Sequence, residues 1–593
     1  MASDDDEALN TIIIGIDFGT TYSGVAFTWS KKIERMEVIT SWEYQLHSTS
    51  DEEKTPTALS YDSNGNATWG YNIPLEAERA QWFKLLLIDE TDLPEDVRGS
   101  KKIQQARDYL KKHKKTPIAV IAEYLRLLWN HCNQRILDTV GRALVNYSRF
   151  HIVITVPAIW PQYARARMRE AAKEAGMITK RVGGETQLDI ISEPEAAALA
   201  TMADMDDRCD VKVGDKFVVV DCGGGTVDII SYEVTSMSPM SVKECVKGQG
   251  ALCGAVFVDE AFTQLLKNKF GKRVWKKMTT KSRVRLLHDE WEHGIKPMFD
   301  GTEQDHFPLP VPFECINFSS FRPGGPAPQI LVTTAEVRMV FDPVVEKIGA
   351  MVAEQSVAIK SQGNKGPKYV MLVGGFGRCK YLLTSLKRFV DEDVDVLQSR
   401  GSAPWTAICR GAVIHASTMR SLGSFTVDVQ SRVSRASYGV TKCSRWDSSK
   451  HIAKDKFWHD AHDAWYAYNQ MAWTLKAGEE MVSNKPVRFS FNRYYPADGS
   501  LKKKVHETIY ICTDPSPPSR KEPTVQKLCS VEWDAELDLS TLPTFTNQIG
   551  KVYYRLSYEI EMTCVGGSLD FAWYHNGKRQ GSKNVIANYD IKE

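Results

Sequence analysis

Two short segments carry the residue types that handle phosphate. Ile16-Asp17-Phe18-Gly19-Thr20-Thr21 and Val220-Asp221-Cys222-Gly223-Gly224-Gly225-Thr226-Val227-Asp228 each end an apolar run on an aspartate, turn on glycine and offer a threonine. Glycine lacks a Cβ, so its backbone can approach a phosphate and aim N–H groups at the oxygens. Threonine hydroxyls add hydrogen bonds without charge. The aspartates cannot bind phosphate directly, because like charges repel; they suit a hydrated Mg²⁺ that bridges phosphate oxygens. A third glycine pair, Gly374-Gly375, follows the apolar run 369–373 and leaves room for something flat or bulky. One Asp-Gly turn alone is ordinary hairpin punctuation. Three strand-end glycine turns in this order point to a nucleotide clamped between two similar lobes. The chain has no G-x-x-x-x-G-K-[ST], so the P-loop is excluded.

These turns need strands to end on and helices to back them. Residues 11–29 read as strand, tight turn, strand, and 217–230 repeat that pattern. A buried strand is expected over 151–157, followed by an alanine-rich helix that Gly176 stops. Pro117 opens a helical pattern ending near Cys132. Further helical stretches fall at 255–300 and 334–360, and a Pro/Gly-rich loop spans 301–328. Past residue 420 the character changes to Val, Tyr, Phe, Thr and Trp in period-two alternation, as in Val487-Arg488-Phe489-Ser490-Phe491. That is an all-β module, a sandwich or half-barrel. The expected layout is an acidic disordered tip (1–10), an α/β nucleotide-binding unit (11–420) with insertions at about 43–116 and 248–329, and a β-rich module (425–593).

Composition limits the partners. Of 593 residues, 42% are hydrophobic and 25% charged, which excludes a mostly disordered chain. Lys+Arg is 75 and Asp+Glu is 74, a formal net charge of +1, which argues against bulk attraction to nucleic acid or anionic membrane. An anionic ligand must then be held by local geometry. The start is acidic rather than basic-then-apolar, unlike a secretory signal, and no apolar run approaches the ~18 residues that span a bilayer. Twelve cysteines are scattered without a C-x-x-C pair, so reduced thiols and a cytoplasmic location are expected, with the nucleus left open.

The spaced motifs resemble the actin/sugar-kinase/heat-shock ATPase superfamily and, within it, the 70-kDa heat-shock protein (DnaK-type chaperone) family. Asp17 to Ser23 is similar to that family's first phosphate loop, and Val156-Pro157-Ala158 to its first connecting segment. Ser192 to Ala198 resembles the segment with a catalytic glutamate, and Asp221 to Asp228 the second phosphate loop. Leu372 to Arg378 resembles the adenosine segment, and Ala407 with Gly411-Ala412 the closing helix. Trp82-Phe83-Lys84-Leu85, Phe376, Ser437-Tyr438-Gly439 and Trp473 to Gly478 resemble a divergent branch typified by heat shock 70 kDa protein 12, common in fungi.

The resemblance implies two duplicated ribonuclease-H-like lobes, ATP or ADP with Mg²⁺, optionally K⁺, and slow ATP hydrolysis. By it, Asp17 and Asp228 anchor the Mg²⁺ shell through water, and Gly19, Thr20, Thr21 and Tyr22 contact β- and γ-phosphates. Gly223, Gly224, Gly225 and Thr226 cradle the phosphates from the second lobe. Asp221 orients a water or K⁺, and Glu193 places the attacking water. Lys84 is the candidate for the family's catalytic lysine, against the alternative of a surface or core-edge residue. Gly254, Glu292, Lys296, Gly374, Gly375, Phe376 and Arg378 are expected around adenosine, with Phe376 stacking on the base or narrowing its pocket.

The chain departs from the family in its linker, Ser421 to Asp428, which has no leucine run, and in ending soon after the last β pattern, so no helical lid is expected. The implied function is a chaperone-like ATPase whose β module binds extended or unfolded polypeptide and whose partners include co-chaperones. Two alternatives stay open: an ATP-gated interaction scaffold, and a small-molecule kinase of the same superfamily. Among weaker signals, the lysine run 101–115 reads as a solvated helix face. His451, His459 and His462 could form a metal site, and Trp458, Trp465 and Trp473 read as core or interface aromatics.

Overall fold

The computed structural model describes residues 10–44, 52–93, 95–158, 160–205, 210–302, 306–316, 328–363, 365–398, 401, 403–420, 422, 427–483, 485–533, 536–565 and 568–584. The acidic tip, the Pro323–Pro326 turn, most of the 421–428 linker and the last nine residues lie outside the described residues. The chain divides into two compact units, one through Asp428 and one from Val429.

The first unit is built on two sheets with one layout. Strands β1 (Thr11–Phe18), β2 (Tyr22–Trp29), β3 (Glu37–Val38) and β4 (Lys54–Pro56) begin the first sheet, which β5 (Arg149–Val156) and β6 (Gln187–Ser192) complete in the order β6-β5-β1-β2-β3, with β4 on β2. The pair β1–β2 is antiparallel, whereas β5 and β6 add in parallel on the other side of β1. In the second sheet β7 (Lys216–Cys222), β8 (Val227–Met237) and β9 (Met240–Ala251) form the antiparallel meander. On the other side of β7, β10 (Tyr369–Val373) adds in parallel to β7, and β11 (Asp395–Gln398) in parallel to β10. Strands β1, β5, β7 and β10 are buried nearly throughout, as a sheet covered on both faces requires.

Helices supply that cover: α1 (Lys101–Lys112), α2 (Pro117–Val140), α3 (Gln162–Glu174), α4 (Glu193–Met205), α5 (Ala255–Phe270), α6 (Thr334–Ser361) and α7 (Ala403–Met419). Helix α1 keeps Ile103, Ala106, Tyr109 and Leu110 inward and its lysines outward, apart from Lys102, which pairs with Glu260. Helix α2 runs well past the expected end at Cys132, because Ile136 continues the buried seam and Gly141 caps the helix. Helix α6 begins with a Thr333/Glu336 capping box. Helices α7 and α4 cross so closely that a Cβ on Gly411 would fall inside the Ala196 carbonyl. A Cβ on Gly15 would likewise strike Cys409, so α7 lies directly on β1.

The second unit is a pair of antiparallel five-stranded sheets. Strands β12 (Ser437–Arg445), β13 (Lys456–His459), β14 (Ala464–Leu475), β15 (Val487–Pro496), β16 (His506–Cys512), β17 (Gln526–Glu532), β18 (Thr544–Thr546), β19 (Val552–Val565), β20 (Ser568–His575) and β21 (Lys578–Asn584) sort into the orders β13-β14-β12-β16-β17 and β15-β19-β20-β21, with β18 on β19. One core joins them: Tyr438, Val440, Ile509 and Val531 from the first sheet meet Leu556, Ile560, Phe571 and Trp573 from the second. Trp573 stacks on Tyr558 at 4.1 Å and donates its indole N–H to the Val531 carbonyl at 3.0 Å.

Trp458 and Trp465 are not core residues. They face each other across β13–β14 with rings 5.4 Å apart and stay 46% and 48% exposed. Strand alternation puts both on the outer face. His459 and His462 lie with rings 4.7 Å apart, but no group of three metal-ligating side chains forms among the described residues. The eleven described cysteines are free thiols, and no described helix is long and apolar enough to cross a membrane.

Candidate functional site

Strand register brings the two aspartate turns face to face. The β1–β2 turn offers Gly19, Thr20 and Thr21 from one sheet, and the β7–β8 turn offers Gly223 to Thr226 from the other; both line one cleft of about 450 Å³, open to solvent. The turns nearly touch: Gly224 lies against the Thr21 side chain and Gly225 against Thr20 and Trp82. The second turn is stiffened from behind. Gly223 donates to the Thr226 carbonyl at 3.0 Å, and the first amides of α5, on Ala255 and Val256, donate to the Gly223 and Gly224 carbonyls at 3.1 and 2.9 Å. Gly254 enters here as backbone: its N–H bonds the Gly225 carbonyl, and any Cβ would collide with Gly224.

Four carboxylates are buried at the base of the turns: Asp17, Glu193, Asp221 and Asp228. Glu193 opens α4 and pairs with Lys84, which is 1% exposed and lies 5.7 and 5.5 Å from the ring centres of Phe18 and Trp160. The 3₁₀ turn Phe83–Leu87 delivers Lys84, entered through Trp82 in a left-handed conformation (φ 64°). Burial raises the Glu193 carboxyl above its ordinary range, against the pull of Lys84. Burial and the neighbouring Glu193 push Asp228 up to about 7, and Asp221 is driven well up by burial and by Glu193, Asp228 and Asp17.

Oxygens Asp221 Oδ1 and Asp228 Oδ1 are buried with no hydrogen-bond partner. Asp221 lines the cleft and Asp228 lies behind it, outside the lining; unpartnered buried carboxylate oxygens of this kind fit a hydrated Mg²⁺ held through water. Asp17 lines the cleft, with its Oδ2 paired to Lys54.

Three cleft residues escaped the sequence reading, Lys54, Trp405 and Ile408. Lys54 begins β4, and its register explains its reach: Gly24 pairs with Asp17 across β1–β2 and with Lys54 across β2–β4. A Cβ on Gly24 would lie 2.8 Å from Lys54 Cγ, so only glycine lets the lysine stem cross the strand to Asp17. The signal available was a glycine inside a strand, a mark of close approach. Trp405 sits in the first turn of α7, edge-on to Tyr22 at 5.5 Å and packed against Gly375, and nothing in the local sequence announces it. Tyr22 is half-buried, and its hydroxyl is pushed up to about 12 by desolvation and by Glu292.

The expected adenosine set is only partly brought to the cleft. Gly374 and Gly375 line it; Gly374 takes φ +82° and donates to the Pro404 carbonyl at 3.0 Å, which a residue with a side chain would do under strain. Lys296 bridges Glu292 and Asp259 at 2.6 and 2.8 Å, and Trp291 also donates to Asp259. Phe376 does not line the cleft. The 3₁₀ turn after Gly375 rotates its ring into the second-lobe core, where it stacks on Phe341 at 2% exposure. Arg378 is exposed.

Parts of the chain are similar to known proteins. Residues 96–440 match the family described as Hsp70 protein, and residues 432–551 match a domain of unknown function, DUF8568. Heat shock 70 kDa protein 12B of Homo sapiens is 28% identical over 328 residues, 45% of this chain and 46% of that protein. Heat shock 70 kDa protein 12A of Mus musculus is 28% identical over 326 residues, 44% of this chain and 46% of its own. Chaperone protein DnaK of Thermoplasma volcanium is 26% identical over 269 residues, 45% of this chain and 40% of its own. The matched region thus spans less than half the length of each of these curated relatives.

Proposed function

The chain belongs to the Hsp70 protein family, and from that membership we propose that it binds Mg·ATP between its two lobes, hydrolyses it slowly and couples this to polypeptide binding by its β module. The observation that carries the reading is the pair of opposed glycine–threonine turns over two buried, unpartnered aspartate oxygens. The shared strand order of the two sheets supports reading the lobes as duplicated ribonuclease-H-like units.

In this reading the amides of Gly19 and Gly223 to Gly225, with the hydroxyls of Thr20, Thr21 and Thr226, hold the phosphate oxygens. Asp228 and Asp221 would hold a hydrated Mg²⁺, which would neutralise phosphate charge. Glu193, with the proton affinity that burial gives it, orients the attacking water and takes its proton, while Lys84 keeps the carboxylate in place. Such positioning suits phosphoryl transfer, where the protein supplies geometry and charge rather than covalent chemistry. Single-turnover ATP hydrolysis compares wild type with Asp221→Ala and Asp228→Ala. Both variants are expected to lose at least about tenfold in rate; equal rates in all three would sink the assignment.

The β module presents an edge strand, β13, with Trp458 and neighbouring Trp465 exposed, which suits an extended peptide adding as a further strand. One observation favours a second reading, the ATP-gated scaffold: the Hsp70 match ends at residue 440, and most of the β module matches a domain without assigned function instead.

A further inference from the structure

The carboxylates around the cleft need cations, and the structure shows how unevenly these are supplied. Lys84 is spent on Glu193 and stands behind it, away from the lining. Among the described residues that line the cleft, Lys54 is the only cation. A nucleotide's phosphates entering there would meet Asp17, Glu193 and Asp221, so a positive charge on the lobe I side is an electrostatic requirement.

Lys54 is built in with care. It is 5% exposed, pairs with Asp17, and its ammonium lies 4.6 Å from the ring centre of Trp405, a cation–π distance. One carboxylate does not exhaust an ammonium, which has three donors. The strand register, the bare face of Gly24 and the indole all converge on fixing this one charge at the mouth of the first phosphate turn.

We propose that Lys54 is a phosphate-binding residue that takes over, from lobe I, part of the charge neutralisation a divalent metal would otherwise supply at Asp17, so that nucleoside triphosphate binding depends only weakly on Mg²⁺. This rests on the nucleotide reading above. The metal position left at Asp228 and Asp221 then serves the transfer step rather than capture. The bland reading is that Lys54 merely ties Asp17 down and never meets a ligand.

The test is calorimetric titration of the full chain with ATP, in excess Mg²⁺ and in EDTA, for wild type, Lys54→Met and Lys54→Arg, with melting temperature as a check on folding. Wild-type affinity in EDTA is expected within about tenfold of its value in Mg²⁺. Lys54→Met is expected to lose about ten- to a hundredfold in EDTA, the scale of one charge-assisted hydrogen bond, and less in Mg²⁺. Lys54→Arg keeps most of the metal-free binding. Wild-type binding that is present with Mg²⁺ and absent in EDTA overturns the proposal while the nucleotide reading survives. So does a folded Lys54→Met that binds as tightly as wild type in EDTA. Should Lys54→Met fail to fold, the wild-type metal dependence decides alone. No ATP binding in either buffer overturns both readings.

Discussion

At the scale of single residues the site is an arrangement of buried charges, and its most exacting member is the Lys84–Glu193 pair. Both partners are almost sealed from water, at 1% and 5% exposure. Removing one half of such a pair strands the other, which typically costs about 3–5 kcal/mol, whereas replacing both by apolar groups is often neutral. Lys84→Met is therefore expected to destabilise the protein by about that amount, and Lys84→Met with Glu193→Leu to recover most of it, as read by urea denaturation. If the double variant is no better than the single, the pair contributes more than mutual neutralisation. At this scale the turns were legible in the sequence, because glycine and threonine after a strand-end aspartate state their own geometry. Lys54 and Trp405 were not, since what makes them cleft residues is a strand pairing and a helix start far away in the chain. The ring of Phe376 was misplaced for a similar reason: a motif gives the position of a residue, and the local 3₁₀ turn gives the side it faces.

At the scale of elements, α2 shows how packing overrides local pattern. Past Cys132 the run Asn133-Gln134-Arg135 looks like a helix end, yet Ile136 returns to the core and carries the helix another two turns. The same helix buries His131, stacked on Trp42 at 5.1 Å and edge-on to Trp69 at 6.0 Å, with Glu43 3.6 Å away. Burial lowers its pKa, with Glu43 opposing and Arg135 assisting. The unfolded chain then takes up a proton near pH 6.5 that the folded chain refuses, so this residue's contribution is intact above that pH and lost as pH falls below it. Melting temperature is expected to drop between about pH 7 and 5, and His131→Gln to flatten that drop. Parallel profiles for the two proteins would show that other groups govern the acid limb. The strands were the most readable elements, because β1, β5, β7 and β10 are unbroken apolar runs of the kind that only a doubly covered sheet accommodates.

At the scale of the whole molecule, the change of composition near residue 425 marks a real division, since contacts separate the chain at 428/429. The second unit has a core of its own, where both five-stranded sheets converge on Trp573, Tyr558 and Leu556. Residues 429–593 expressed alone are expected to unfold in one cooperative step, followed by the fluorescence of buried Trp573, and, on the peptide reading proposed above, to bind extended peptides on an array. A gradual melt would mean that the module's core is not sufficient by itself. The first unit has a different kind of internal division. Its lobes meet beyond the phosphate turns through Trp82 edge-on to Phe257 at 6.3 Å, Thr280 donating to Glu76 at 2.8 Å, and Lys102 beside Glu260 at 3.4 Å. Each link is weak, with an aromatic edge contact on the order of 1 kcal/mol. Under the proposed nucleotide reading these surface contacts become a latch, and changing them would lengthen or shorten residence time without touching a residue that meets phosphate.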